Sequence, residues 1–155
     1  SRGLGDVYKR QVEETAAEPT YTVSETLTRP VPGEVMTEFS DTPVYSETMR
    51  DYRVHAGTDY TAAHGETVHA CANGIVKETH TDMLRGNMIV IEHGDYEVRY
   101  CGLGETFLVH EGDVVTAGQD IGSVTAAPFE SALDSHLHIE VTRNGEPVDP
   151  ESVFG

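Results

Sequence analysis

The chain has 155 residues, with 27 Asp and Glu against 10 Lys and Arg, a formal net charge of -17 and no Trp. That length suits one domain; the acidic balance excludes a phosphate-tracking groove for nucleic acid, and no run of about 18 apolar residues is present to cross a membrane. Two cysteines are too few for a disulfide framework or a four-cysteine zinc site, which leaves the eight histidines as the unusual count.

Residues 1–11 hold Arg2, Lys9 and Arg10 and no apolar period. They resemble a translated adapter scar and are set aside from the fold, so the natural N-terminus is expected upstream, where a signal peptide or membrane anchor stays open. Residues 12–29 are acidic and rich in Thr and Ser, the composition of a flexible linker. Residues 1–29 are therefore expected to be disordered, and one domain is expected over 30–155. From Arg29-Pro30-Val31-Pro32-Gly33 the texture changes. Val35, Met36, Phe39, Val44 and Tyr45 are separated by Pro43 and turn formers, which predicts short extended segments laid on a core.

From Val54 the pattern is β. The run from Thr67 to Ala72 passes through Asn73-Gly74 into Ile75-Val76-Lys77, which predicts a two-residue hairpin. Asn87 to Glu92 is rich in Ile and Val and ends at Gly94-Asp95, and Tyr96 to Tyr100 alternates. Glu111-Gly112-Asp113 and Ala117-Gly118-Gln119 punctuate two short strands, and Leu133 to Val141 is extended up to Asn144-Gly145. No segment carries a capped apolar stripe of helical period. The fold class predicted is all-β, a compact antiparallel sheet domain with little helix.

Two histidine constellations carry chemistry. In His136-Leu137-His138, residues i and i+2 of a strand share a face roughly 7 Å apart, while Leu137 and Ile139 point into a core. One imidazole can bind a metal and the other reach a water beside it. In His55-Ala56-Gly57-Thr58-Asp59, a flat strand would put His55 and Asp59 roughly 13 Å apart, so one ion needs a bend, which Gly57 permits. His, Asp and His then form a three-ligand site with a vacant position, the pattern of catalytic zinc. Nitrogen and carboxylate donors without thiolate suit zinc among the transition metals.

The run from Arg53 to Pro150 resembles a lysostaphin-type, LytM-like zinc metallopeptidase domain. The matching stretches are His55-Ala56-Gly57-Thr58-Asp59, Gly65-Glu66-Thr67-Val68-His69-Ala70 with Asn73-Gly74-Ile75-Val76, Gly86 to Gly94, Gly112 to Gly122, and His136 to Glu140. The resemblance implies an antiparallel sheet fold with a groove (a duplicated hybrid motif) and an extracytoplasmic endopeptidase that hydrolyses peptide cross-links of bacterial peptidoglycan. It implies Zn2+ held by His55, Asp59 and His138, with His136 as a catalytic histidine. One departure stands out. The family carries a second catalytic histidine in a Tyr-x-His-Leu run; here the run is Tyr100-Cys101-Gly102-Leu103, and Gly102 takes its place. Losing such a group typically costs on the order of a hundredfold in rate.

Pro32-Gly33-Glu34-Val35, Phe39-Ser40, Val44 to Thr48, and the long approach from Ala126 to Ser135 with Glu130 and Asp134 are similar to clostridial SpoIIQ-like sporulation proteins. That branch implies an N-terminal membrane anchor, a place in the cell wall or intermembrane space, and a membrane-anchored partner of the SpoIIIAH type. It opens an alternative: a zinc-binding scaffold that holds such a partner, or peptidoglycan, without cutting. A biotinyl- or lipoyl-type carrier is a poor fit, because Lys77 does not sit at a hairpin tip. His64, His80 and His110 lie near turns and are expected to be solvated, and His69 and His93 to be structural. Cys71 and Cys101 are free or paired. Cys101, if on a regular strand, faces away from the site, Arg99 is expected on the sheet surface, and Glu140 shares the face of His136 and His138, where it can support a ligand imidazole.

Overall fold

A computed structural model describes residues 20–155; the scar-like residues 1–11 and the linker residues 12–19 lie outside the described residues. Strands β1 (Val35–Thr37), β2 (Ser40–Ser46), β3 (Asp51–His55) and β4 (Thr58–Thr61) open the domain. They are followed by β5 (Thr67–His69), β6 (Gly74–Asp82), β7 (Gly86–His93) and β8 (Tyr96–Leu103), then β9 (Val114–Val115) and β10 (Asp120–Ser123), and finally β11 (His136–Arg143) and β12 (Glu146–Val148). Pro128–Glu130 and Pro150–Ser152 form single 3₁₀ turns. The fold is all-β, as the alternation predicts.

The main sheet runs β1-β4-β11-β8-β7-β6-β9, with β12 added to β11, and its strand pairs are antiparallel. Two-stranded ribbons β5–β10 and β2–β3 accompany it. The core collects Tyr60, Tyr100, Ile89, Ile91, Leu137 and Ile139 from the main sheet with Val68 and Ile121 from the β5–β10 ribbon. The residues that alternate with these face the other way, and that second face carries the polar site.

Turn chemistry accounts for two hairpins. Asn144 and Gly145 both take positive φ between β11 and β12, as a primed two-residue turn demands. Gly94-Asp95 closes β7 on β8. The hairpin expected at Asn73-Gly74 is not formed: β5 pairs with β10, and β6 pairs with β7 and β9. Gly74 serves close approach instead, since a Cβ there would sit 2.1 Å from the Glu92 carbonyl oxygen.

Packing also begins before residue 30, contrary to the expected linker. The Tyr21 hydroxyl donates to Glu92 at 2.7 Å, the Asn73 N–H donates to Ser24 Oγ at 2.9 Å, and buried Leu27 bridges to Phe154. Composition missed this because Tyr21 and Leu27 are isolated anchors without a period.

His93 and Tyr100 form a buried polar pair in the sheet. The Tyr100 hydroxyl donates to His93 Nε2 at 2.7 Å and accepts from the Cys71 N–H at 2.9 Å, while His93 Nδ1–H donates to the Asn73 carbonyl. Burial pushes His93 down from 6.5 to about 4. The unfolded chain therefore binds a proton that the folded chain refuses, so this contribution is full above pH 6.5 and is lost as pH falls toward 4. Urea unfolding at pH 7 and pH 4.5 should show the wild type losing about 2–3 kcal/mol more than His93→Gln over that interval. Equal losses in the two proteins would remove His93 as the cause.

Candidate metal centre

The register of β11 on β4 sets His138 directly opposite Asp59. His136, His138 and Glu140 share one face of β11, and Leu137, Ile139 and Val141 are wholly buried on the other, as a period of two requires. His138 Nδ1 lies 2.7 Å from Asp59 Oδ1. Strand β3 ends at His55, and the bend through Ala56-Gly57 returns the chain so that His55 Nε2 lies 3.3 Å from Asp59 Oδ2. The bend is there as expected, but the need for glycine is spatial. Gly57 is not in the left-handed region; a Cβ on it would lie 2.3 Å from the Ile139 carbonyl oxygen and 2.9 Å from the His138 ring.

Glu130, which pattern reasoning did not place in the site, completes the cluster. It arrives on the 3₁₀ turn Pro128–Glu130 and is 6% exposed. Its Oε2 lies 2.8 Å from His55 Nε2, and its Oε1 lies 2.9 Å from His138 Nδ1 and 3.2 Å from His136 Nε2. One donor atom from each of His55, Asp59, Glu130 and His138 falls within 4.8 Å of all the others.

These donors fit a divalent transition metal. Ligands about 2.0–2.1 Å from a tetrahedral ion stand about 3.3 Å apart, and here the close approaches between donors run from 2.7 to 3.3 Å. Asp59 Oδ2 is buried without a hydrogen-bond partner, a costly state for a carboxylate oxygen unless a cation satisfies it. The tautomers agree with this. His55 Nδ1–H donates to the Glu38 carbonyl at 2.9 Å, and His138 Nε2–H donates to Glu140 Oε2 at 2.9 Å, so in the neutral imidazoles His55 Nε2 and His138 Nδ1 direct their lone pairs toward the centre. His136 Nδ1–H donates to the Asp134 carbonyl at 2.7 Å, and its Nε2 stands at the edge of the cluster, 3.7 Å from Asp59 Oδ1.

Electrostatics bind the group together. Burial opposes charge on His55, but the nearby Asp59 carboxylate and the hydrogen bond to Glu130 outweigh it and raise the imidazole to about 9. His136 and His138 are raised against burial in the same way, and their contacts hold Glu130 well below the usual carboxylate range. Without metal the imidazoles hold protons that a bound ion must displace. Glu140 is kept at about 2 against its burial, by the His138 hydrogen bond and by Arg85, whose Nε donates at 2.9 Å. Arg99, expected at the surface, also approaches Glu140, at 3.7 Å.

The surroundings correct one further reading. Cys101 lies opposite His138 and so on the face of the site. A bulge places Cys101 and Gly102 against one residue of β7 and interrupts the alternation on which the opposite reading relied. Burial pushes the Cys101 thiol up to about 12, so it stays protonated; both cysteines are free and buried. Gly102 has φ of +69°, and a Cβ there would lie 2.6 Å from the Ala127 nitrogen. The segment carrying Glu130 thus crosses directly over the position where the resemblance calls for a histidine. Beside His55 and Glu130 opens a groove walled by Val44, Tyr45, Thr48, Phe129 and Leu133. Among the described residues, no helix is long and apolar enough to cross a membrane.

Comparison with known proteins follows the same outline. Over 96 residues the chain is 35% identical to the peptidoglycan DD-endopeptidase ShyA of Vibrio cholerae, covering 61% of this chain and 22% of that protein. Over 106 residues it is 35% identical to the DD-carboxypeptidase/endopeptidase Mpg of Neisseria meningitidis, covering 68% and 24%. The chain thus spans about a quarter of the length of these curated relatives. A crystal structure of a zinc-containing peptidase from Vibrio cholerae superposes with a TM-score of 0.68 at 27% identity, over 83% of this chain and 39% of that one. The SpoIIQ–SpoIIIAH pore-forming complex shares the fold with a TM-score of 0.72 at 22% identity, over 84% and 91%. Residues 53–150 match the model of Peptidase family M23, and the chain belongs to that family.

Proposed function

We propose that this chain is a zinc endopeptidase domain that acts outside the cytoplasm on the peptide cross-links of peptidoglycan. The observation that carries the reading is the convergence of His55, Asp59 and His138 on one point of the sheet face, with His136 Nε2 at its edge. The endopeptidase relatives support the substrate class. The groove beside His55 gives an extended peptide a path past the cluster.

In this reading His55 Nε2, His138 Nδ1 and Asp59 hold the ion, and zinc supplies electrophilic polarisation of the scissile carbonyl. His136 moves the proton. Its Nδ1–H is fixed on the Asp134 carbonyl, so Nε2, which rests 3.2 Å from Glu130 Oε1, is the atom that exchanges a proton with the attacking water and the leaving amine once it is released from that carboxylate. Gly102 offers no donor to the developing oxyanion, so turnover is slow. A second reading, a non-cleaving zinc scaffold for peptidoglycan or a SpoIIIAH-type sporulation partner, is favoured by that same glycine. The 126–130 segment occupies the space of a side chain at 102, so the missing imidazole is built into the packing.

Zinc content and digestion of purified sacculi test the proposal. The wild type should carry equimolar zinc and slowly convert cross-linked muropeptides into uncross-linked ones, and His55→Ala and His138→Ala should lose both properties. His136→Ala should keep zinc and lose about 10²- to 10⁴-fold in rate. A wild type without zinc overturns the reading; a zinc-loaded wild type that cuts no cross-link moves the assignment to the scaffold.

Two further outcomes follow from the surroundings of the cluster. Glu140→Gln should weaken zinc binding about 10- to 100-fold in chelator competition, because His138 loses the carboxylate that orients it. Gly102→His should lower thermal stability, by on the order of 2 kcal/mol or more, because it combines a left-handed backbone with a backbone clash.

A further inference from the structure

We infer that Glu130 is a fourth protein ligand to the metal, so that this domain closes the coordination position an M23 peptidase site would leave open. The inference rests on the zinc reading above and concerns what it leaves undecided, namely whether the bound ion is accessible.

Glu130 is not a bystander at the rim: its two oxygens span the cluster, with Oε2 2.8 Å from His55 Nε2 and Oε1 2.9 Å from His138 Nδ1. These are the two nitrogens that the tautomers leave with lone pairs. A carboxylate held against both faces the point to which both lone pairs are directed. Asp59 approaches the same nitrogens from the sheet, so the two carboxylates and two imidazoles surround one position.

Charge agrees. Two neutral imidazoles and two carboxylates neutralise a dication, and a neutral site tolerates burial better than the net +1 left by His, Asp and His alone. Glu130 is 6% exposed, Asp59 is fully buried and His138 is 1% exposed, so the balance matters here.

The carrier segment is built to hold this position. The Phe129 N–H donates to the Leu84 carbonyl at 3.0 Å, the Thr125 N–H to the Gly102 carbonyl at 2.8 Å, and the Ala132 N–H to Thr48 Oγ1 at 3.0 Å. The segment is therefore tied to the β6–β7 turn, to β8 and to the β2–β3 turn, on both sides of the cluster. The Phe129 ring stands edge-on to His138 with centroids 4.9 Å apart. Passage over Gly102 is open only because that residue has no Cβ. The absent family histidine and the added glutamate are thus one structural feature. A substrate carbonyl must displace Glu130 to reach the ion.

Cobalt substitution tests this without reference to turnover. Co2+-loaded wild type should give a four-coordinate visible spectrum that azide leaves unchanged, whereas Glu130→Ala should show a spectrum that azide shifts. Zinc affinity of Glu130→Gln and Glu130→Ala, measured by chelator competition, should fall about 10- to 100-fold, and unfolding curves of the metal-free proteins identify any variant that has lost the fold. The wild-type azide titration needs no variant. A wild-type spectrum that responds to azide as Glu130→Ala does, or zinc affinity unchanged in two folded variants, overturns the inference while leaving the three-ligand reading intact. Absence of metal binding in the wild type overturns both.

Discussion

The buried contact between His138 and Asp59, on adjacent strands at 2.7 Å, is the constraint around which the rest of the domain is arranged. A carboxylate and an imidazole placed on a sheet face lose their water, and each needs partners to survive there. The register of β11 on β4 supplies the first partner. A slip of one residue would turn His136 and His138 into the core and bring Leu137 and Ile139 onto the polar face, so packing the apolar half of β11 also positions the polar half. Gly57 extends the same constraint to the chain before β4, because only a residue without Cβ lets that bend lie on the His138 ring. Glu140 extends it to Arg85, which together with His138 itself holds the carboxylate charged against its burial, and to Arg99 at 3.7 Å.

A second dependence runs through Gly102. Its positive φ and the bulge beside it bring Cys101 under the site and clear a passage for the segment from Ala126 to Glu130. Restoring an imidazole at 102 is not a local edit, since the side chain and the crossing segment compete for one volume. The groove wall formed by Phe129 and Leu133 would move with that segment. Under the proposed function, oxyanion stabilisation and access to the cluster would therefore be coupled through backbone packing as well as through chemistry.

Much of this was legible in the residues, and the parts that were not share a cause. The period of two in His136 to Val141 gives both the polar chemistry and the apolar support, and it holds because both faces of the strand have distinct surroundings. The convergence of His55 and Asp59 was legible as a geometric necessity, although the glycine that allows it acts by space and not by φ. Asn73-Gly74 looked like a turn because the dipeptide usually is one; here Gly74 admits the backbone of β7, which no local pattern announces. Glu130 escaped because its segment has no period, and a 3₁₀ turn fixed by Pro128 sets its direction. The available signal was indirect: a long approach to His136 carrying a carboxylate, in a chain whose expected second histidine had become glycine. Tyr21 and Leu27 escaped for a related reason, since single anchors on a polar stretch leave the composition of a linker unchanged.

The chain's excess of acidic residues acquires a local meaning at the cluster. A chain with a formal charge of -17 has few cations to spend on its buried carboxylates. Arg85 and Arg99 both go to Glu140, and Asp59 and Glu130 face imidazoles. Imidazoles offer charge only while protonated, and protonated imidazoles cannot bind metal. The cluster therefore has two self-consistent states: protonated histidines pairing with two carboxylates, or neutral histidines and the same carboxylates around a dication. Intermediate occupancy leaves buried negative charge uncompensated, which is the costly arrangement. Metal and protons thus compete for one set of atoms, and the carboxylate on the crossing segment belongs to both states. It has an electrostatic reason to stay in place whichever of the two is present.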